Sequence, residues 1–431
     1  MAPVYEHPLR YALVNELHAR PYPKIGVPAH VVYAAFKEPN DAANRDRAHD
    51  FAHLCDLLTR KGAPNMPQEG VGHFTGHIGR HKLKWESHTE FVTYLAHAPG
   101  YSSAPFDPLE TAVFPTDWIA GAPGGRVAAI HIRIETLPDD PQDIAPLLAD
   151  WFVGESLVCS SILEGAAVIA GDFRLDAAGQ MRFAVFVRKD TGAGRIGRIV
   201  QRICEIETYR AMSMLGLDRA RSLMKRLNLL EPRLSELVEA MSRTEIEAEG
   251  TLHQLLKISG ELEALAVQHS FRFGATGAYE AIMRERVAVL REARFHGRQL
   301  LSEFMTRRYD PAVRTVHSAE NRLGAMLERA ARAAELLRTR VDVERSAQNQ
   351  SLLESMDRRA DLQLRLQHTV EGLSVVAISY YAVSLAGYLL YPLAKQLGAS
   401  KEIVLAGATP VVIFGVWLMI RQIRKGMGGH S

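Results

Sequence analysis

The chain has 431 residues, 47% hydrophobic and 23% charged, which suits more than one domain and argues against bulk disorder. Its 51 Lys and Arg against 49 Asp and Glu exclude a histone-like polycation and leave no electrostatic footprint for nucleic acid. Cys55, Cys159 and Cys204 stand far apart with no CxxC pair, which excludes a disulfide scaffold and a zinc ribbon and suits a reducing compartment.

Taken in chain order, the start MAPVYEHPLRYALVNEL lacks the apolar core of a secretory signal. Glu16, His18 and Arg20 then place an acid, an imidazole and a guanidinium ahead of Pro21. Such a cluster suits anion binding or acid–base work, or ties a terminal segment to its domain. Short helices are expected at 40–60 and 141–153. His73, His77 and His81 are four apart, but Gly72, Gly76 and Gly79 disfavour the helix that would align them as metal ligands. Residues 81–96, HKLKWESHTEFVTYLA, read as one half-buried strand with Leu83, Trp85, Phe91 and Leu95 on one parity. On the other parity Glu86, His88 and Glu90 form a row about 7 Å apart, a candidate ligand-binding face able to offer two metal ligands; the metal question stays open. Residues 126–135 read as a further strand, and 166–175 with 181–189 as a hairpin across DAAGQ. Gly192, Gly194 and Gly197 match the dinucleotide fingerprint GxGxxG, but the strand before them belongs to that hairpin and no parallel strand is expected after them. A domain junction accounts for them better.

Beyond Gly197 the composition becomes helical, with a break expected at Glu231–Pro232. Leu323, Leu327, Ala330, Ala334, Leu337 and Val341 follow the spacing of a coiled-coil seam. Asp310 can cap a helix whose first position is Pro311, and nothing strong interrupts the pattern from there to the apolar C-terminal region. Residues 372–394 carry no charge and as a helix span about 35 Å; residues 403–420 are likewise uncharged. Arg358, Arg359 and Arg365 precede the first stretch and Arg421, Arg424 and Lys425 follow the second, while the link carries only Lys395 and Lys401. That asymmetry predicts a transmembrane hairpin with both termini cytoplasmic. Ser374, Ala377, Tyr381, Ser384, Tyr388 and Tyr391 share one helical face, suited to close helix packing or to lining a water-filled path. No nucleophile elbow, P-loop or HExxH motif occurs, so nothing supports an enzyme, and no cofactor is expected.

The stretches HPLRYALVNELHARPYP (7–23), KLKWESHTEF (82–91) and RICEIETYRAMSMLGL (202–217) resemble a family of uncharacterised bacterial membrane-anchored proteins defined by a domain of unknown function over nearly the whole chain. That resemblance implies a membrane anchor and no assigned reaction. The order of α/β domain, long helix, span, short link, span and basic tail also resembles CorA-like divalent-cation channels. Those are homopentamers whose first spans line the pore and end in Gly-Met-Asn. Here the corresponding positions are Ala386, Gly387, Tyr388, Leu389 and Leu390, without the methionine and asparagine.

The sequence therefore predicts an α+β (α/β) cytoplasmic domain over 1–190, a long-helix stalk over 191–369, two transmembrane helices within 370–421 (372–394 and 403–420) and a basic tail over 422–431. The expected setting is the bacterial inner membrane, and the expected partners are the lipid bilayer and further copies of the chain, five by analogy. The leading function is a CorA-like cation channel lined by Ser374, Tyr381, Ser384 and Tyr388. The alternative is a membrane-anchored scaffold or ligand sensor without transport. An anchored enzyme centred on Glu16, His18 and Arg20 ranks last.

Overall fold

The computed structural model describes residues 6–16, 21–40, 42–241, 248–396 and 400–427, without the side chains at 12, 15, 16, 393–396, 401 and 423–427. The elements are α1 (Arg10–Glu16), β1 (Ala29–Lys37), α2 (Arg47–Arg60), β2 (His73–Ile78), β3 (His81–Ser87), β4 (Val92–Pro99), α3 (Pro108–Thr111), α4 (Thr116–Ala120), β5 (Gly125–Thr136), α5 (Ile144–Trp151), β6 (Val158–Ile162), β7 (Ala167–Leu175) and β8 (Met181–Val187). The helical half follows as α6 (Ala193–Ala240), α7 (Ala248–Val289), the two-residue β9 (Ala293–Arg294), α8 (Leu301–Arg308), α9 (Asp310–Gln396) and α10 (Lys401–Met427). Two compact units result: Met1–Ile246 with His253–Ala334, and Glu247–Leu252 with Glu335–Ser431.

Among the described residues the first unit holds one nine-stranded mixed sheet, ordered β2-β3-β4-β1-β5-β8-β7-β6-β9. Each half runs strand, helix, three-stranded meander: β1, α2, β2–β4, then β5, α5, β6–β8. β1 and β5 meet antiparallel at the centre, and β5 pairs parallel with β8. β1 is buried along its whole length, which is why it reads as a continuous apolar run and not as an alternation. One sheet face packs Ile130, Ile132 and Val185 against Ile199 and Ile203 of α6, Met283 of α7, Leu301 of α8 and Val313 of α9. The opposite face packs against α2 and α4 through Leu54, Trp85, Tyr94 and Trp118, and against α5 through Leu148, Trp151 and Phe186.

The strands at 126–135 and 166–189 and the short helices form as the pattern predicts, but residues 81–96 do not form one strand. They are the hairpin β3–β4, closed where the His88 N–H meets the Phe91 carbonyl at 2.8 Å. No glycine or proline marks this turn. It is held from outside, by the buried Arg45 guanidinium donating to the carbonyls of Thr89 (2.5 Å), His88 (2.8 Å) and Phe91 (3.2 Å), with Asp50 bonded to Arg45 Nε at 2.7 Å. The expected break at Pro232 is also absent: α6 runs through it for 48 residues. Proline removes one helical hydrogen bond there. Arg322 of α9 braces this turn through side chains, its Nε meeting Glu231 at 3.0 Å and its Nη1 the Asn228 side chain at 2.8 Å.

The helices of the first unit bury residues in alternating steps of four and three: Gly216, Ala220, Leu223, Leu227, Leu230 and Leu234 of α6, and Val316, Ala319, Leu323, Met326, Ala330 and Ala333 of α9. Leu323, Ala330, Leu337 and Val341 are buried as the seam predicts, while Met326 and Ala333 take the buried places expected of Leu327 and Ala334, which are half-buried. Gly197 explains the glycine run after β8: a Cβ there would lie 1.6 Å from the Pro23 carbonyl oxygen, so the 21–25 segment crosses α6 only where no side chain stands.

In the second unit α9 and α10 each contain a stretch long and apolar enough to cross a membrane, with mean hydropathy 1.7 and 2.3. The two touch where Gly387 meets Leu405, and Ser379 and Val416 are buried nearby. Arg345 of α9 also pairs with Glu249 of α7 at 2.7 Å.

Candidate functional site: a charged cavity between sheet and helices

The sheet face under α6 and α7 is not dry throughout. Strand pleating sends Leu83 and Trp85 of β3 into the aromatic core on one side and Lys84 and Glu86 to the other. There they border a cavity of about 210 Å³. A chain of contacts crosses its wall: Lys84 Nζ lies 3.2 Å from Glu86 and donates to Gln201 Oε1 at 2.9 Å, Gln201 donates to Glu205 at 2.8 Å, and Arg286 Nε donates to Glu205 at 2.5 Å. Acid, base, amide, acid and base follow in turn, so each charge has an opposite neighbour and the wall as a whole is amphoteric.

Hydroxyls and rings complete the lining. Thr208 donates back to the Cys204 carbonyl at 2.8 Å, leaving its oxygen to accept from Tyr33 at 2.8 Å. Burial pushes the Tyr33 phenol and the Cys204 thiol well above their ordinary values, so both stay protonated, and Cys204 offers no thiolate nucleophile. Phe91 and Tyr209 add apolar surface, with His88 stacked on Phe91 at 4.4 Å.

Of the row expected from the sequence, Glu86 and His88 line this cavity and Glu90 does not. The hairpin turn carries Glu90 into a buried ionic cluster behind the wall, where it accepts from Tyr279 at 2.9 Å, pairs with Arg272 and lies 3.8 Å from Lys37 Nζ. Burial, and then Arg272, lower the Lys37 ammonium, while burial and then Glu90 raise the Tyr279 phenol. Tyr279 stacks on Tyr209 at 5.7 Å, which ties this cluster to the cavity lining.

The sequence missed Tyr33, Gln201, Glu205, Thr208, Tyr209 and Arg286. The sequence signal for three of them was the helical spacing of Gln201, Glu205 and Thr208, which share one face of α6. His73 and His77 fall on β2 and His81 opens β3, not a helix. Among the described residues no group of three or more His, Cys, Asp or Glu is placed to hold a metal ion. His18 and Arg20 lie outside the described residues, as does the Glu16 side chain, so that cluster has no geometry to report. Ser374, Tyr381 and Tyr388 are exposed and Ser384 is half-buried; Tyr381 and Tyr388 are 72% and 76% exposed.

The chain matches the family described as "Protein of unknown function (DUF3422)" over residues 5–427. It belongs to that family. No curated protein matches the sequence. Two of the three stretches that carried the family resemblance meet at the cavity of this DUF3422 protein: 82–91 supplies Lys84, Glu86, His88 and Phe91, and 202–217 supplies Cys204, Glu205, Thr208 and Tyr209.

Proposed function

We propose that the protein is a membrane-anchored sensor that binds a small amphoteric ligand, such as an amino acid or a compact zwitterion, in the cavity between β3–β4 and α6–α7. The observation that carries this reading is the alternation of Lys84, Glu86, Gln201, Glu205 and Arg286 around a space of about 210 Å³. Charged groups inside a fold are costly unless paired, and replacing them by apolar residues is often neutral or stabilising. A wall that keeps two acids and two bases beside open space suits a ligand that brings one charge of each sign. The apolar stretches of α9 and α10 serve as an inner-membrane hairpin with both termini cytoplasmic, following the Lys and Arg asymmetry. Isothermal calorimetry of the detergent-solubilised chain with a panel of amino acids and amine-only or acid-only analogues tests this. Binding of the zwitterions alone supports it; binding of none, or equal binding of single-charge analogues, refutes it.

Ion passage through a CorA-like homo-oligomer is the second reading. It is favoured by the exposed Tyr381 and Tyr388 with Ser374 and Ser384 on their face, which would meet like faces of parallel copies around an axis. Cation flux in liposomes, lost in Ser384→Leu, is the result expected of it; a monomeric particle in detergent removes it.

A further inference from the structure

A separate cavity of about 130 Å³ opens where β7, α6 and α8 meet, and it shares no lining residue with the charged cavity. α6 contributes Arg210 and Met214, and α8 contributes Phe304 and Arg308, so each helix delivers one guanidinium and one apolar side chain a turn apart. The floor is the buried Tyr309, whose hydroxyl is bonded to Ser213 at 2.7 Å. The wall is Phe173, stacked on Phe304 with ring centroids 4.5 Å apart and 18° between planes. Phe173 holds a left-handed φ of 55°, rare for a bulky residue, at the register irregularity between Gly171 and Leu175.

The charges leave a surplus of one. Glu207 engages Arg210 bidentately, at 2.7 Å to Nε and 2.6 Å to Nη2, which leaves Nη1 outside that pair. Arg308 is exposed and makes no ion pair among the described residues. The acids nearest Tyr309 are engaged elsewhere: Asp310 and Glu280 share Arg284 at 2.9 Å, and Glu280 also bonds His317 at 2.8 Å. Two guanidiniums with one acid, against a stacked aromatic wall, leave room for one negative charge borne on a flat apolar body.

We propose that this cavity binds a compact aromatic carboxylate, its carboxylate between Arg308 and Arg210 Nη1 and its ring against Phe304 and Phe173. At about 130 Å³ the cavity is a little smaller than the one of about 150 Å³ that holds benzene, so a single ring fills it and the carboxylate lies at its mouth beside the exposed Arg308.

The test is calorimetric titration of the full chain in detergent with benzoate, benzyl alcohol, cyclohexanecarboxylate and inorganic phosphate. The expected result is benzoate bound at least about tenfold more tightly than each of the others, the alcohol lacking the charge, phosphate the ring and the cyclohexyl acid its flatness. Arg308→Gln, at an exposed position that leaves the thermal midpoint unchanged, should weaken benzoate about tenfold, and Phe304→Leu should erase its advantage over the cyclohexyl acid. Equal affinity for benzoate and benzyl alcohol, unaltered affinity in Arg308→Gln, or no benzoate binding up to ~10 mM would overturn the proposal.

Discussion

The two faces of the sheet, seen along β3, carry opposite kinds of residue from neighbouring positions. Leu83 and Trp85 enter a dry cluster in which Phe114 and Trp118 stack and Tyr94 meets Trp118 edge to face, with centroids 5.5 and 4.9 Å apart. His53, the polar ring in that cluster, is satisfied on both sides: Tyr94 lies at 3.0 Å from Nδ1 and the Trp118 carbonyl accepts from Nε2 at 3.0 Å. Lys84 and Glu86 enter the other face, where the buried Lys84 and the half-buried Glu86, Glu205 and Arg286 surround open space. A fold that can build the first surface has no need of the second for stability. On the proposed reading, the difference separates residues kept for cohesion from residues kept for recognition.

The comparison breaks most visibly on the dry side. Trp118→Ala should cost about 3–5 kcal/mol by loss of packing around an uncollapsed hole, read from urea unfolding followed by circular dichroism. A loss below about 1 kcal/mol would mean that this cluster is not the cohesive face. Next in size is Glu90→Gln, which strands Lys37 and Arg272 without their acid and should cost about 2–4 kcal/mol in the same assay.

Acid should act through the histidines near the ends of β1, β3 and β4. His81 bonds His30 Nε2 at 3.1 Å, and burial lowers His81 and His97 to about 4. Their folded values lie below the unfolded one, so the unfolded chain takes up more protons in between. Stability should therefore be intact above about pH 6.5 and fall by on the order of 1–3 kcal/mol as pH drops towards 4, with a flatter profile in His81→Gln.

The smallest effect on stability should come from the wet side. The double variant Lys84→Met/Glu86→Leu should stay within about 1 kcal/mol of the parent in unfolding, yet lose zwitterion binding by calorimetry. A large destabilisation with binding retained would reverse the assignment of the two faces.

How much of this could be read in advance depended on where each signal lay. The hairpin β7–β8 has its turn residues in the loop itself, and α9 begins at Asp310 and Pro311, so both were legible from neighbouring residues. The turn at 88–91 was not, because the group that bends it, Arg45, lies more than forty positions away. Alternation continues across HTEF as though the strand did, which put Phe91 on the parity of Trp85 and Glu90 beside Glu86. The charged cavity shows the same limit on a larger scale. Glu86 and His88 could be singled out as unusual, but their partners arrive from distant sequence: Lys84 meets Gln201 across 117 positions and Glu90 meets Tyr279 across 189. Pro232 misled for a related reason, since the turn that carries it is braced by Arg322 from another helix.

The unbroken course of α6 has a mechanical consequence. Its residues 201–209 border the charged cavity, and the same rod continues to Ala240, about 50 Å further at the rise of an α-helix. Such a helix is a lever with its short arm at the cavity: a tilt of about 2° there swings the distal end by about 2 Å, a distance comparable to a helix shift that can switch an interface.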